Sequence, residues 1–373
     1  MADAPSHPGL PDALAEAFEH LGQLRFDQFM ELALYAPASG FFATGGGAGR
    51  RGGDFVTSAE VGPLFGAVVA RYLDEVWEQL GHPERLTVVE AGAGRGALAI
   101  AVRNAEPRCA PSLLWVLVER SPALRERQHD HLDLVDVDAS GVPAIGFDGT
   151  GPWFHSVQDM PSEPFVGVVL ANELLDNLPL RVFERSRGSW SEVVVRRASD
   201  GEGRLVEALV SAEPAIAADL DRLAHGATEG ARVPVQHAAA RWVQHACNLV
   251  DRGHVIVFDY VASTAEIASR HFGDWLRTYR AHERGGPPLS EPGRQDLTAD
   301  VALDQLPPPT GIVTQAHWLE RFGIAELVAT ARTRWEGRAG VGDLDAIRAR
   351  STLSEAAALT DPAGLGGFTV ITW

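Results

Sequence analysis

Residues 86–96, Leu86-Thr-Val-Val-Glu90-Ala91-Gly92-Ala93-Gly94-Arg95-Gly96, decide the fold. Leu86 to Glu90 is a short apolar run that predicts a buried strand, and Gly96 to Val102 predicts a helix. Glycines between them let the backbone turn tightly and let a ligand approach the peptide groups with no Cβ in the way. The spacing is G-x-G-x-G with an acid, Glu90, two residues before the first glycine. A dinucleotide fingerprint reads G-x-G-x-x-G. An acid at that point suits a ligand that carries an ammonium group.

The same alternation continues outward. Leu113 to Glu119 predicts a second strand and Pro122 to Leu132 a helix. Trp153 to Val157, Phe165 to Ala171 and Gly253 to Tyr260 predict three more strands, the last preceded by a helix over Val235 to Val250. Short apolar runs alternating with helices indicate an α/β protein, a parallel sheet covered on both faces in a Rossmann-like arrangement. Upstream, residues 10–35 carry apolar positions at helical spacing that predict two short helices. A glycine-rich loop (45–53) follows, then a strong helix from Pro63 to about Leu80. Residues 181–210 have the alternation of β-hairpins and predict an insertion; the Gly- and Pro-rich stretch 280–311 predicts a loop over the site. A helix near Gln315 to Arg321 and a strand from Phe368 to Trp373 close the chain. The organisation expected is an N-terminal helical segment, 1–82, and a Rossmann-like domain, 83–373, with insertions at about 181–233 and 275–311.

Composition removes several classes of function. No lysine occurs, so all 32 basic residues are arginines, which excludes a P-loop lysine, a pyridoxal Schiff base and any other lysine-dependent catalysis. A formal charge of −18 makes nucleic acid a poor default partner, because duplex binding needs a basic surface to release counterions. Cys109 and Cys247 stand in no metal or redox spacing, and no Gly-x-Ser-x-Gly elbow is present. The histidine pairs His129/His131 and His237/His245 have no suitably spaced ligand partners, so no metal is expected. No stretch approaches the ~20 apolar residues that span a bilayer. The first residues lack a secretory signal pattern, so a cytoplasmic location is expected.

Candidate site residues follow from placement. Gly92, Gly94 and Gly96 form the turn, with Glu90 ahead of it. Glu119, at the end of the second strand, is where a carboxylate can accept ribose hydroxyls. Asp159 follows the third strand, where an acid can meet an adenine amino group. Asn172, Glu173 and Asp176 follow the fourth strand; in an open parallel sheet the ligand crevice lies beyond the carboxyl ends of the strands, so this polar cluster is expected to face the reacting group. Helix capping by Asn172 is the structural alternative. S-adenosylmethionine, whose methionine end bears an ammonium, fits Glu90 better than NAD does. A nicotinamide-dependent oxidoreductase remains the rival reading, and a non-catalytic binding protein of the same fold the other.

These blocks line up with a known family. The chain resembles the MidA-like S-adenosylmethionine-dependent methyltransferases, which include a mitochondrial complex I assembly factor. The resemblance is carried by Phe29-Met-x-x-Ala-Leu-Tyr35, Ser39-Gly-Phe-Phe42, Gly53-Asp-Phe-Val-Thr57, Glu90 to Gly96, Val118-Glu-Arg-Ser-Pro122, Ala171-Asn-Glu-Leu-Leu-Asp-Asn-Leu-Pro179, Phe258-Asp-Tyr260, Tyr279-Arg-x-His282, Asp296-Leu-Thr298, Thr314-Gln315 and Gly367-Phe368. It implies a methyltransferase core whose N-terminal helical lid and Gly-Asp-Phe loop close over the methyl donor, with Asp54 helping to hold it. It also implies a protein arginine side chain as acceptor. On that reading Glu173, assisted by Asp176, orients the guanidinium, while His282 and Asp296 shape the acceptor side. A homodimer is left open.

Overall fold

The computed structural model describes residues 10–44, 46, 57–137, 150–199, 203–338, 340 and 343–373. Asp54, nearly all of the glycine-rich loop and the Asp200-Gly turn lie outside the described residues.

Seven strands make the central sheet: β1 (Leu86–Ala91), β2 (Leu113–Val118), β3 (Trp153–Val157), β4 (Phe165–Asn172), β5 (Val250–Asp259), β6 (Gly311–Thr314) and β7 (Thr369–Thr372). Their order is β6-β7-β5-β4-β1-β2-β3. Strands β1 to β5 are parallel, and β7 runs antiparallel to both β5 and β6. All six residues of β1 and of β2 are buried, as a sheet covered on both faces requires. The period of two is visible within β1. Val88 packs with Leu98, Val102, Phe258 and Trp318 under helices Pro63–Gln79 and Ala97–Asn104, whereas Val89 packs with Ala246 and Val255 under helix His237–Leu249.

Close backbone approach demands glycine at one place in this sheet. Gly167 of β4 lies in register with Thr87 of β1 and Gly253 of β5. An ideal Cβ on Gly167 falls 1.8 Å from the Thr87 carbonyl oxygen, and one on Gly253 falls 1.8 Å from that of Gly167. Both sit at φ values open to glycine, +152° and +135°. The register of β5 on β4 shifts between Val250 and Arg252, just before this pair.

Residues 181–211 form strands, as their alternation predicts, and a strand from the N-terminal segment joins their sheet. Strands Arg181–Ser186, Ser189–Arg197, Leu205–Ser211 and Arg232–Val235 are joined by Gln23–Arg25. Helices Asp12–Leu21 and Phe26–Tyr35 lay Phe18, Phe26, Phe29 and Met30 against Val182, Val193 and Val195. The 280–311 stretch departs from the expected loop. Leu276–Arg280, Glu283–Arg284 and Asp296–Ala299 form a small antiparallel sheet, and β6 begins at Gly311. These strands have two to five residues and pair over distance, so local composition, dominated by Gly and Pro, hides them. No described helix is long and apolar enough to cross a membrane.

Candidate active site

A cavity of about 280 Å3 opens at the carboxyl ends of β1, β2 and β4. The chain reverses direction across the sheet between β1 and β4, and open α/β sheets bind ligands at such a switch point. Its size is close to the ~300 Å3 at which small-molecule sites begin.

The turn after β1 forms one wall. Gly92 and Gly94 line the cavity, with φ of +70° and +54°. An ideal Cβ on Gly94 meets nothing within 4 Å, so a side chain there would project into the cavity. Gly96 behaves differently. It precedes helix Ala97–Asn104, does not line the cavity, and its ideal Cβ meets Leu117 and Leu132 at 3.0 Å. Glu119 braces the turn: its Oε2 accepts from the Gly94 N–H at 2.9 Å and its Oε1 from the Ser121 N–H at 2.8 Å. Burial raises the Glu119 carboxyl, against the pull of those two amides. Glu90 is 6% exposed, and Trp115 Nε1 donates to its Oε2 at 2.8 Å. Burial pushes Glu90 up to about 8; Trp115 opposes the rise and the neighbouring Glu119 adds to it. Asp159, between Gln158 and Met160, lines the cavity beyond β3 and is exposed.

The segment after β4 forms the opposite wall. Asn172, Glu173, Leu174 and Asn177 all line the cavity. Glu173 takes a left-handed backbone, φ +53°, with its N–H donating to the Phe258 carbonyl. For a residue other than glycine this is an uncommon conformation, and it sets the side chain apart from the strand. Its Oε1 accepts from the Ser58 N–H and from Asn172 Nδ2, each at 3.1 Å, and its Oε2 accepts from the Tyr260 hydroxyl at 3.3 Å. Burial pushes Glu173 up to about 8, with Asp176 adding to the rise. Asp176 does not line the cavity. It is 4% exposed, takes a hydrogen bond from the Thr298 hydroxyl, and is raised by burial. Asp296 is also buried beside the cavity rather than on its wall, where Asn177 Nδ2 donates to its Oδ1 at 2.9 Å. His282 sits at the exposed turn between Arg280 and Glu283, φ +66°, and lines none of the cavity.

Comparison with known proteins gives this geometry a family. Residues 68–320 match a family described as "Putative S-adenosyl-L-methionine-dependent methyltransferase". The chain belongs to this family. A crystal structure of a Burkholderia thailandensis protein bound to S-adenosyl-homocysteine superposes with a TM-score of 0.78 at 28% identity, over 98% of this chain and 95% of that one. Curated relatives include "Protein arginine methyltransferase NDUFAF7, mitochondrial" of Danio rerio, 28% identical over 83% of this chain and 76% of the relative. The Drosophila melanogaster homologue is 29% identical over 79% and 68%. S-adenosyl-L-methionine is therefore the methyl donor, and the nicotinamide and non-catalytic readings give way. The cytoplasmic expectation is corrected as well: these relatives are named mitochondrial.

The methyltransferase fold brings in cavity residues that the sequence did not single out for the site. Tyr35 and Phe42 stack from the N-terminal segment, with centroids 5.4 Å apart, and Arg120 lies over the Tyr35 ring at 4.4 Å. Glu60 and Arg95 pair at 3.0 Å across the cavity rim. The Arg95 side chain is 36% exposed at this rim, and pairs open to solvent contribute ~0–1 kcal/mol, so an arriving ligand can part this one. Tyr35, Phe42 and Tyr260 lie within the resemblance blocks, and that was their one signal. Trp242, on helix His237–Leu249, had none. Among the described residues no cluster of His, Cys, Asp and Glu could hold a metal.

Proposed function

We propose that this methyltransferase modifies an arginine side chain of a partner protein and that Glu173 holds the guanidinium. The observation that carries the reading is the Glu173 carboxylate on the cavity wall, fixed by three donors, at the end of the strand facing the glycine turn. The names of the curated relatives support the same acceptor. A guanidinium is charged at every working pH and pairs with a carboxylate through two parallel hydrogen bonds.

The open space over Gly94 and the acids around it fit the methyl donor. Glu90 would meet its ammonium, Glu119 its ribose and Asp159 its adenine, with the Gly92 and Gly94 backbone lying against it. Gly96 contributes by starting the helix. When bound, the donor supplies a methyl group activated by its sulfonium. The chain's own task is then to position the acceptor, the larger part of catalysis in an in-line displacement. Burial keeps Glu173 largely protonated near neutral pH, and an incoming guanidinium draws its carboxyl back to the ionised form. Asn172 and Tyr260 hold it in place. Asp176 and Asp296 act from behind the wall, Asp296 by orienting Asn177.

Glu173→Gln tests the assignment. The amide keeps the shape and loses the charge. We expect turnover to fall by ~100-fold or more, in the range seen when a positioned transition-state partner is removed. S-adenosyl-homocysteine affinity should stay within twofold by calorimetry. A variant that methylates its acceptor at the wild-type rate removes Glu173 from the reaction.

A further inference from the structure

A second cavity, of about 500 Å3, adjoins the site through Tyr260 and is lined by Arg277, Asp300, residues 362–365 and Phe368. Tyr260 stands between this cavity and Glu173, which lines the first. Its hydroxyl donates to Glu173, its ring lies 4.9 Å from the Arg277 guanidinium carbon, and Phe368 packs against it at 4.2 Å.

Arg277 is an unusual wall residue. Its side chain is nine-tenths buried, and Nη1 pairs with Asp300 Oδ1 at 2.5 Å. Arg270 pairs with the other oxygen of the same carboxylate at 2.7 Å, and the buried Asp176 carboxyl also feels the Arg277 charge. Arg277 Nη2 is buried and has no hydrogen-bond partner among the described residues. Leaving a buried charged donor unpaired is costly, and such a group in a native protein calls for an explanation such as a missing ligand. The walls contributed by Gly364 and Gly367 carry no side chain to fill the cavity.

We propose that this cavity receives a carboxylate carried by the acceptor segment close to its arginine, and that Arg277 is the specificity-determining residue that binds it. The inference rests on the arginine-acceptor reading. Through Tyr260 the Arg277 guanidinium lies within roughly 11 Å of the Glu173 carboxylate, a span of about three extended residues. One segment can therefore place its arginine at Glu173 and a neighbouring acid at Arg277. An acidic side chain and a C-terminal carboxylate offer the same group, and peptides amidated at the C-terminus separate the two.

Two measurements on the full chain test it. In the first, binding of N-acetyl-glutamate N-methylamide is followed by NMR for wild type and Arg277→Gln, with the glutamine analogue as control. Wild type should bind the acid at least tenfold more tightly than the amide, and Arg277→Gln should abolish the difference while keeping S-adenosyl-homocysteine affinity within twofold. Equal binding of acid and amide by wild type, or a preference that survives in Arg277→Gln, overturns the cavity assignment. In the second, C-terminally amidated arginine peptides flanked by Glu or by Gln are methylated with labelled donor. The acidic peptide should show a KM at least tenfold lower, and Arg277→Gln should raise that KM with kcat little changed. Carboxylate binding at Arg277 without methylation of any arginine peptide refutes the arginine acceptor and leaves a carboxylate site. Methylation with no acidic preference refutes the role of Arg277 alone.

Discussion

Gly94→Val separates the cost of a strained backbone from the cost of a filled site. Gly94 sits at φ +54°, where an L-residue pays about 1–2 kcal/mol and a β-branched one pays most. No packing penalty is added, since an ideal Cβ at this position meets nothing within 4 Å. With an unfolding entropy of ~2.1 cal/mol/K per residue over the whole chain, a loss of that size lowers the melting temperature by only ~1–3 °C. Ligand binding should suffer far more, because the side chain occupies the space against the turn. We expect S-adenosyl-homocysteine affinity to fall at least ~100-fold, close to 3 kcal/mol at 1.4 kcal/mol per tenfold. Gly96→Ala is the matched control. It also carries positive φ, +80°, and its Cβ meets Leu117 and Leu132 at 3.0 Å, so it should destabilise at least as much. Its side chain points away from the cavity, so affinity should remain within about threefold, our allowance for indirect shifts of a few tenths of a kcal/mol. Calorimetry and thermal melts on both variants decide the matter. If Gly94→Val binds with wild-type affinity, the ligand does not lie against this turn.

Three further outcomes follow from the same structure. Glu90 is raised from its ordinary 4.5 to about 8 by burial, so its contribution to stability is whole below pH ~4.5 and is lost as pH rises through about 8. Glu90→Gln should flatten that decline and exceed wild type in ligand-free stability at pH 8, by up to a few kcal/mol, in denaturant titrations; parallel curves for the two proteins would refute the placement. Tyr260→Phe removes a donor that holds the Glu173 carboxyl down, so the low-pH limb of kcat/KM should move to higher pH. An unmoved limb dissociates Glu173 from that titration. Gly167→Ala should block folding or cost more than ~3 kcal/mol, since its Cβ falls 1.8 Å from the Thr87 carbonyl, and soluble protein with a wild-type melt would contradict the register described.

Much of this was legible in order along the chain. The alternation of strands with helices, the turn at Gly92 to Gly96 and the acids at Glu90, Glu119 and Glu173 all stand on local patterns, and β1 to β5 occur where those patterns place them. Periodicity and strand-end position are properties of neighbouring residues, so one sequence suffices to read them. Asp176, Asp296 and His282 show where that reading runs out. Each sits beside residues that do reach the cavity or in a block carried by the resemblance, yet two are buried behind the wall and one is exposed on a turn. A residue's direction over one or two positions after a strand depends on its φ and on the element packed against it. For Glu173 that meant a left-handed backbone held by the Phe258 carbonyl of β5.

The sequence by itself determined the doubly covered sheet, the nucleoside-type turn and the exclusion of lysine chemistry, because composition and short-range spacing are enough for each. Only the tertiary structure decided which carboxylates share one cavity. Ser58 and Tyr260 come from distant segments to join the neighbouring Asn172 in fixing the Glu173 side chain, and the Tyr260 ring lies 4.9 Å from the Arg277 guanidinium carbon. Those meetings depend on contacts across as many as 115 positions of chain, which no local pattern encodes.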